Sequence, residues 1–275
     1  MPKKLVDSTV DSSFNPGGAL IPLLGRYEPL HEARYRFAVP FLRNRQFIDF
    51  GCGFGFGASI LSAHSFGRGI GVDVDPRCIR FATRRFSSPR LSFRLLRHME
   101  LPAAEGSVGL VTAFEVIEHL TVDHFHAFLR EAVRVLSEDG VIIGSTPNAG
   151  CGLTEDPVFH LCEFDQTALQ HVAAQYGLHS TILGVETSKL PSNWVSTAIA
   201  TRVPRVLKRS YSLKVLQSLL AATQYRKELG LHIQNGIGTV NPSQCSDLIF
   251  LYRKSRDPEL VDVPSATADN ASHEA

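Results

Sequence analysis

Residues 113 to 119 read AFEVIEH, which places two carboxylates and an imidazole, Glu115, Glu118 and His119, within five positions. They stand at i, i+3 and i+4, so a helical turn would bring all three to one face. Carboxylates with an imidazole suit a divalent cation such as Mg²⁺, Mn²⁺ or Zn²⁺. His160, in VFHLCEF downstream, is a candidate fourth ligand, because neighbouring strands of one sheet end on the same edge. Without a metal the histidine can serve as a general base. In the plainest case the triplet only hydrogen-bonds its own loop.

A second feature lies upstream. DFGCGFGFG (49–57) combines Asp49, Gly51, Cys52, Gly53 and Gly55 in a turn that leaves an apolar run. Glycines there allow the backbone to approach a ligand closely, and the helix that follows offers its first amides. Asp73 ends the next apolar run, 22 residues after Gly51. A carboxylate at that place can accept hydrogen bonds from both hydroxyls of a ribose. Turn and acid together point to a ribose-containing cofactor, either a nicotinamide dinucleotide or S-adenosylmethionine. Gly53, Gly55 and Ala58 also satisfy the GxGxxA dinucleotide spacing.

These residues need elements to carry them. Strand-like runs fall at 46–51, 69–74, 91–96, 108–114, 141–146, 181–186 and 246–254, with SEDG read as the turn before the fifth. Helical patterns lie between them. Asp75 and Thr121 are placed as N-caps, with Pro76 at a first helical position. Val122, Phe125, Leu129, Ala132, Val133 and Leu136 form an apolar stripe, and Asp165 caps a helix that Gly177 stops. Continuous apolar strands alternating with amphipathic helices specify an α/β fold, a mostly parallel sheet covered on both faces. By this reading residues 1–27 form a flexible leader, 28–254 one domain and 255–275 a disordered tail. Residues 187–245 form a lid or substrate insertion.

Composition narrows the classes. Lys and Arg number 28 against 27 Asp and Glu, a net charge of +1, so no global charge drives the chain onto nucleic acid or membrane. By this reading the only basic cluster, Arg202, Arg205, Lys208, Arg209 and Lys214, lies in the insertion. No arginine-rich run with interleaved aromatics is expected over the core. The stretch 202–224 is amphipathic and could touch a membrane or a lipid-linked substrate. Five scattered cysteines without a CxxC pair read as reduced thiols. With neither a signal-peptide h-region nor an apolar run of membrane-spanning length, the expected location is cytoplasmic.

Four segments taken in order, FIDFGCGFGFG, GVDVDP, LPAAEGSVGLVTAFEVIEHL and LREAVRVLSEDGVIIGSTPN, resemble class I S-adenosylmethionine-dependent methyltransferases. The resemblance covers roughly residues 28–186 and the last strand. It implies a Rossmann-like seven-stranded sheet, mostly parallel, with an antiparallel last strand. It implies that Asp49 and the Gly51–Gly55 turn face the methionine half of the cofactor and that Asp73 holds its ribose. Val74 would flank the adenine, His98 and Met99 would lie in the adenine loop, and Phe114 and Glu115 would sit beside the transferring methyl. The segment LHEARYRFAVPFL (30–42) resembles the N-terminal helix of a subgroup associated with glycan and natural-product modification, in which Arg34 and Tyr35 would close over the cofactor carboxylate. ExxEH is shared with ubiquinone-biosynthesis O-methyltransferases and with small-RNA 2′-O-methyltransferases, in which a metal would hold the substrate hydroxyls. One position departs from the pattern: Arg97 stands where an adenine-accepting aspartate is usual, and a guanidinium cannot accept a hydrogen bond.

The expected activity is O-methylation of a small hydroxylated acceptor: a sugar or glycan precursor, a natural product or a quinone-like phenol. Methylation of an RNA 2′-hydroxyl ranks below it, as does a non-catalytic cofactor-binding module.

Overall fold

A computed structural model describes residues 29–151, 161–185, 239–242, 245 and 247–254. The leader, the tail and nearly all of the 187–245 insertion lie outside the described residues, as do His160 and the basic stretch 202–224.

The sheet has the strand order β3-β2-β1-β4-β5-β8-β6-β7. Its members are β1 (Gln46–Phe50), β2 (Gly69–Asp73), β3 (Leu91–Leu95), β4 (Val108–Phe114), β5 (Leu136–Pro147), β6 (His179–Val185), β7 (Thr239–Val240) and β8 (Asp247–Arg253). From β3 to β5 all pairings are parallel. The last strand, β8, lies antiparallel between β5 and β6. This is the expected seven-stranded sheet, extended by the two-residue strand β7 within the span read as an insertion.

Both faces of the sheet are covered, because strand side chains alternate between them. Ile48 and Phe50 enter one core with Phe125, Phe128 and Leu129 of α4 (Val122–Val135) and Leu169 of α5 (Gln166–Gln175). Phe47, just before Ile48, enters the other core. There it joins Tyr35 of α1 (Pro29–Ala38), Leu61 of α2 (Phe56–Ala63) and Ala82 of α3 (Pro76–Phe86). β8 repeats the pattern, with Leu248, Phe250 and Tyr252 on one side and Ile249 and Leu251 on the other.

The expected caps form. Asp75 accepts from the Arg77 amide, Thr121 from His124 and Asp165 from Ala168. Two local expectations are corrected. SEDG does not separate the fifth strand from α4; it lies inside β5, where Val108 pairs with Leu136 but Leu110 pairs with Val141, so the surplus residues bulge. Val122 is 59% exposed, because the first residue of α4 precedes the turn that meets the sheet.

Asp49, near the end of β1, is fully buried. Tyr35 Oη donates to both carboxylate oxygens (3.0 and 3.2 Å) and Thr112 Oγ1 donates to Oδ1 (2.7 Å). The Ala58 amide, in the first turn of α2, donates to it as well. α2 has no side-chain cap of its own, so Asp49 serves one of its orphan amides from below. Gly57 is required here for packing, since a Cβ would lie 1.8 Å from the Tyr35 ring.

Burial, opposed in part by the bonds from Thr112 and Tyr35, raises the Asp49 pKa from 3.8 to about 7. Between those values the folded chain holds a proton that the unfolded chain has released. Its contribution to stability therefore falls as pH rises through that window and is lost above about 7. Asp49→Asn lacks this titration. Urea unfolding between about pH 5 and about pH 8 should show the native chain losing stability relative to the variant by roughly 1 kcal/mol per unit up to pH 7. Parallel curves would contradict the assignment.

Candidate active site at the strand ends

The carboxyl ends of β1, β2, β4 and β5 bring the singled-out residues to one edge of the sheet. The glycine turn begins at Gly51 (φ 69°), where a Cβ would strike Val116 at 2.4 Å. Gly53 (φ 51°) differs, since a Cβ there would meet nothing within 4 Å. The turn is thus packed on one side and open at Gly53. Asp73 binds it to β2: Oδ2 accepts from the Gly53 amide at 2.8 Å and Oδ1 from the Asp75 amide at 2.8 Å. A carboxylate has about four lone-pair sites, so both oxygens can still accept from a ribose. Burial raises the Asp73 pKa. The Cys52 thiol is buried and its pKa is pushed well up by desolvation, which leaves it an inert packing group.

Glu115 follows β4 in a left-handed conformation (φ 54°). Its Oε1 accepts from Ser145 Oγ at 2.7 Å and pairs with Arg34 Nη2 at 3.1 Å. Arg34 also reaches Asp247 Oδ1 at 3.3 Å, so one buried guanidinium joins α1, the end of β4 and the start of β8. A short 3₁₀ turn, Ile117–His119, then carries the other two residues of the triplet. The single face expected from the spacing does not form, because Glu115 stands outside that turn. Glu118 points inward and is 2% exposed, whereas the His119 side chain is 28% exposed. His119 Nε2 lies 3.9 Å from Glu118 Oε1. Burial, reinforced by the Glu115 charge, pushes the Glu118 carboxyl well above the usual range.

This arrangement does not fit the expected metal set. Among the described residues no group of three or more His, Cys, Asp and Glu is disposed to hold an ion. Glu115 is held by Arg34, and burial raises the Glu118 pKa, which opposes the deprotonated carboxylate a ligand must present. His160 lies outside the described residues. The chain re-enters beside this turn, with the Leu161 and Cys162 amides donating to the Glu118 carbonyl at 2.7 and 3.1 Å.

Other expected contacts are placed as follows. Tyr35 is 2% exposed and directs its hydroxyl to Asp49, with its ring edge-on to Phe114 at 4.9 Å. Tyr35 and the buried Phe114 thus support the turn from beneath. Val74 packs against the core. In the loop after β3, His98 is exposed and Met99 turns its side chain into the core at φ 56°. That loop is pinned by α4: Glu131 accepts from the Leu101 amide, and Arg134 donates to the Leu101 and Ala103 carbonyls.

Sequence reading passed over several of these partners. Thr112, Glu131, Arg134 and Ser145 lie within the family-like segments, but their roles, like that of Asp247, show only once distant elements pair. His31 had a fainter signal, its helical spacing from Arg34 and Tyr35. Burial, with the Arg34 charge, lowers its pKa to about 4, so its imidazole stays neutral.

Residues 48–144 match the family described as "Methyltransferase domain". A probable S-adenosylmethionine-dependent methyltransferase of Mycolicibacterium smegmatis is 36% identical over 118 residues, 43% of this chain and 44% of the relative. The chain thus spans less than half the length of that curated relative. Among solved structures, a Haloferax volcanii methyltransferase in complex with the Trm112 methyltransferase activator is similar, with TM-score 0.58 and 15% identity, covering 86% of this chain and 95% of that one. The [4+2]-cyclase SpnF is similar at TM-score 0.56 and 16% identity, covering 82% and 80%. Likeness at this level shows the fold. Residues 48–144 are thus similar to a methyltransferase domain, and they are carried on a Rossmann-like sheet.

Proposed function

We propose that the chain binds S-adenosylmethionine at this edge and methylates an oxygen of a hydroxylated acceptor. The observation that carries the reading is the juxtaposition of the open Gly53 turn, tied by Asp73, with the recessed Glu115–Glu118–His119 group. The fit to the cofactor rests on the unfilled space at Gly53 and on the spare lone pairs of Asp73. Among the described residues, the buried Arg34 Nε also has no hydrogen-bond partner at this edge. Bound there, S-adenosylmethionine supplies a methyl group activated by a sulfonium sulfur.

The residues then have distinct tasks. Asp73 accepts from the ribose, and the backbone at Gly53 admits the ligand closely. Arg34 fixes the Glu115 carboxylate, so its orientation is set before an acceptor arrives. An alcohol is a poor nucleophile until its proton leaves, so a base is needed more than for an amine. His119, partly exposed like Glu115 but not tied to Arg34, takes that proton as the oxygen–methyl bond forms. Alignment of the two reactants contributes the rest.

The acceptor in this reading is a small hydroxylated molecule, such as a sugar or glycan precursor, a natural product or a phenol, since an oxygen nucleophile needs a base. Methylation of an RNA hydroxyl is a second reading, favoured by the arginine surface described below.

Asp73→Ala should weaken S-adenosylmethionine binding by roughly 10²-fold in isothermal titration, from loss of hydrogen bonds to a charged acceptor. His119→Ala should leave that affinity nearly unchanged and lower demethylated-cofactor release by roughly 10²–10⁴-fold on a panel of hydroxyl acceptors. A loss below about threefold would remove His119 from the chemistry.

A further inference from the structure

Between His64 and Met99 the chain has eight arginines, 68, 77, 80, 84, 85, 90, 94 and 97, and two acids, Asp73 and Asp75. That is a local balance of +6, which leaves −5 for the remainder of a chain whose total is +1. The near-neutral total conceals the segregation. All eight arginines are exposed, whereas Asp75 is buried and Asp73 half-buried. The expectation that no arginine-rich run with aromatics covers the core is therefore corrected. The spacing appeared diffuse because the residues come from one helix, one strand and their flanking loops.

In the fold they converge on the β3 edge of the sheet. Arg77, Arg80 and Arg84 stand at i, i+3 and i+7 along α3, and Arg85 follows. Arg90 and Arg97 flank β3, and Arg94 lies on it. Asp75 holds Arg77 at 2.6 Å, but no ion pair joins the other seven to a described residue. Like charges at Arg80 and Arg84, four residues apart, oppose the helix, and the helix dipole accounts only for Arg84 and Arg85. Aromatic rings are set among them. Phe66 is 79% exposed with the Arg90 guanidinium 6.0 Å from its centroid, and Phe81 is 47% exposed. Phe81 also meets Phe54 of the glycine turn at 5.2 Å, so the surface abuts the candidate cofactor site.

We propose that this arginine surface on α3 and the β3 edge docks single-stranded or looped RNA. Exclusive use of arginine suits bidentate contact with phosphate oxygens. Exposed rings among the cations offer platforms on which unpaired bases stack. An interfacial membrane helix needs a continuous apolar face, and two phenylalanines isolated by arginines do not make one. The inference stands apart from the methyl-transfer reading.

The test uses the full chain and a fluorescein-labelled single-stranded RNA of about 20 nucleotides, read by anisotropy. Affinity should fall about 10²-fold between about 50 and about 200 mM salt, as expected for about five phosphate contacts. Arg80→Glu/Arg84→Glu/Arg90→Glu should bind the RNA at least about 30-fold more weakly at the lower salt while keeping its thermal midpoint and its S-adenosylmethionine affinity. Phe66→Ala should cost about fivefold through lost stacking. RNA affinity in the triple variant within about threefold of native would overturn the proposal. So would polyglutamate or phosphatidylserine vesicles binding at least as tightly as RNA.

Discussion

Three parts of the chain that are far apart in sequence meet on the side chain of Asp49. Its carboxyl receives the hydroxyl of Tyr35 from α1, the hydroxyl of Thr112 from β4 and an amide from the first turn of α2. A polar group so deeply buried is tolerable only when its partners are in place. The geometry of the glycine turn directly above it therefore depends on α1 and β4 being docked. Burial, countered by those donors, leaves the carboxyl near neutrality, so the anchor is also sensitive to pH.

A second buried polar group works at the other end of the site. Arg34 joins Glu115 and Asp247, which begins the strand inserted antiparallel between β5 and β6. A guanidinium with two carboxylates offsets much of the desolvation that each would suffer alone. Its effect on the opening triplet is to divide it. Glu115 is committed to Arg34 and Ser145, Glu118 is sequestered, and the His119 side chain is partly exposed. Three residues that looked equivalent by spacing are unlike by environment, and environment determines what a titratable group can do.

The charge map follows the same logic on the outer surface. A net charge near zero is compatible with a polyvalent cationic face, because charges act over about one Debye length rather than over the whole chain. The placement of α3 beside the edge strand gathers that face.

What the amino-acid order determined by itself was everything that depends on neighbours in the chain. Alternating apolar strands and helices, the caps at Asp75, Thr121 and Asp165, the glycine turn and the acid ending β2 all follow from local sterics and local hydrogen bonding. Those constraints set the class of fold, the edge that carries the site and the class of cofactor. The tertiary structure decided the rest. It aimed Tyr35 at Asp49 rather than at a ligand, placed Glu115 outside the helical turn, ran β5 through SEDG, and gathered eight scattered arginines on one edge. Each of these outcomes turns on partners dozens of residues away, such as Thr112 for Asp49 and Asp247 for Arg34. Spacing along a chain records which residues can share a turn, but not which buried group will claim them once the sheet has closed.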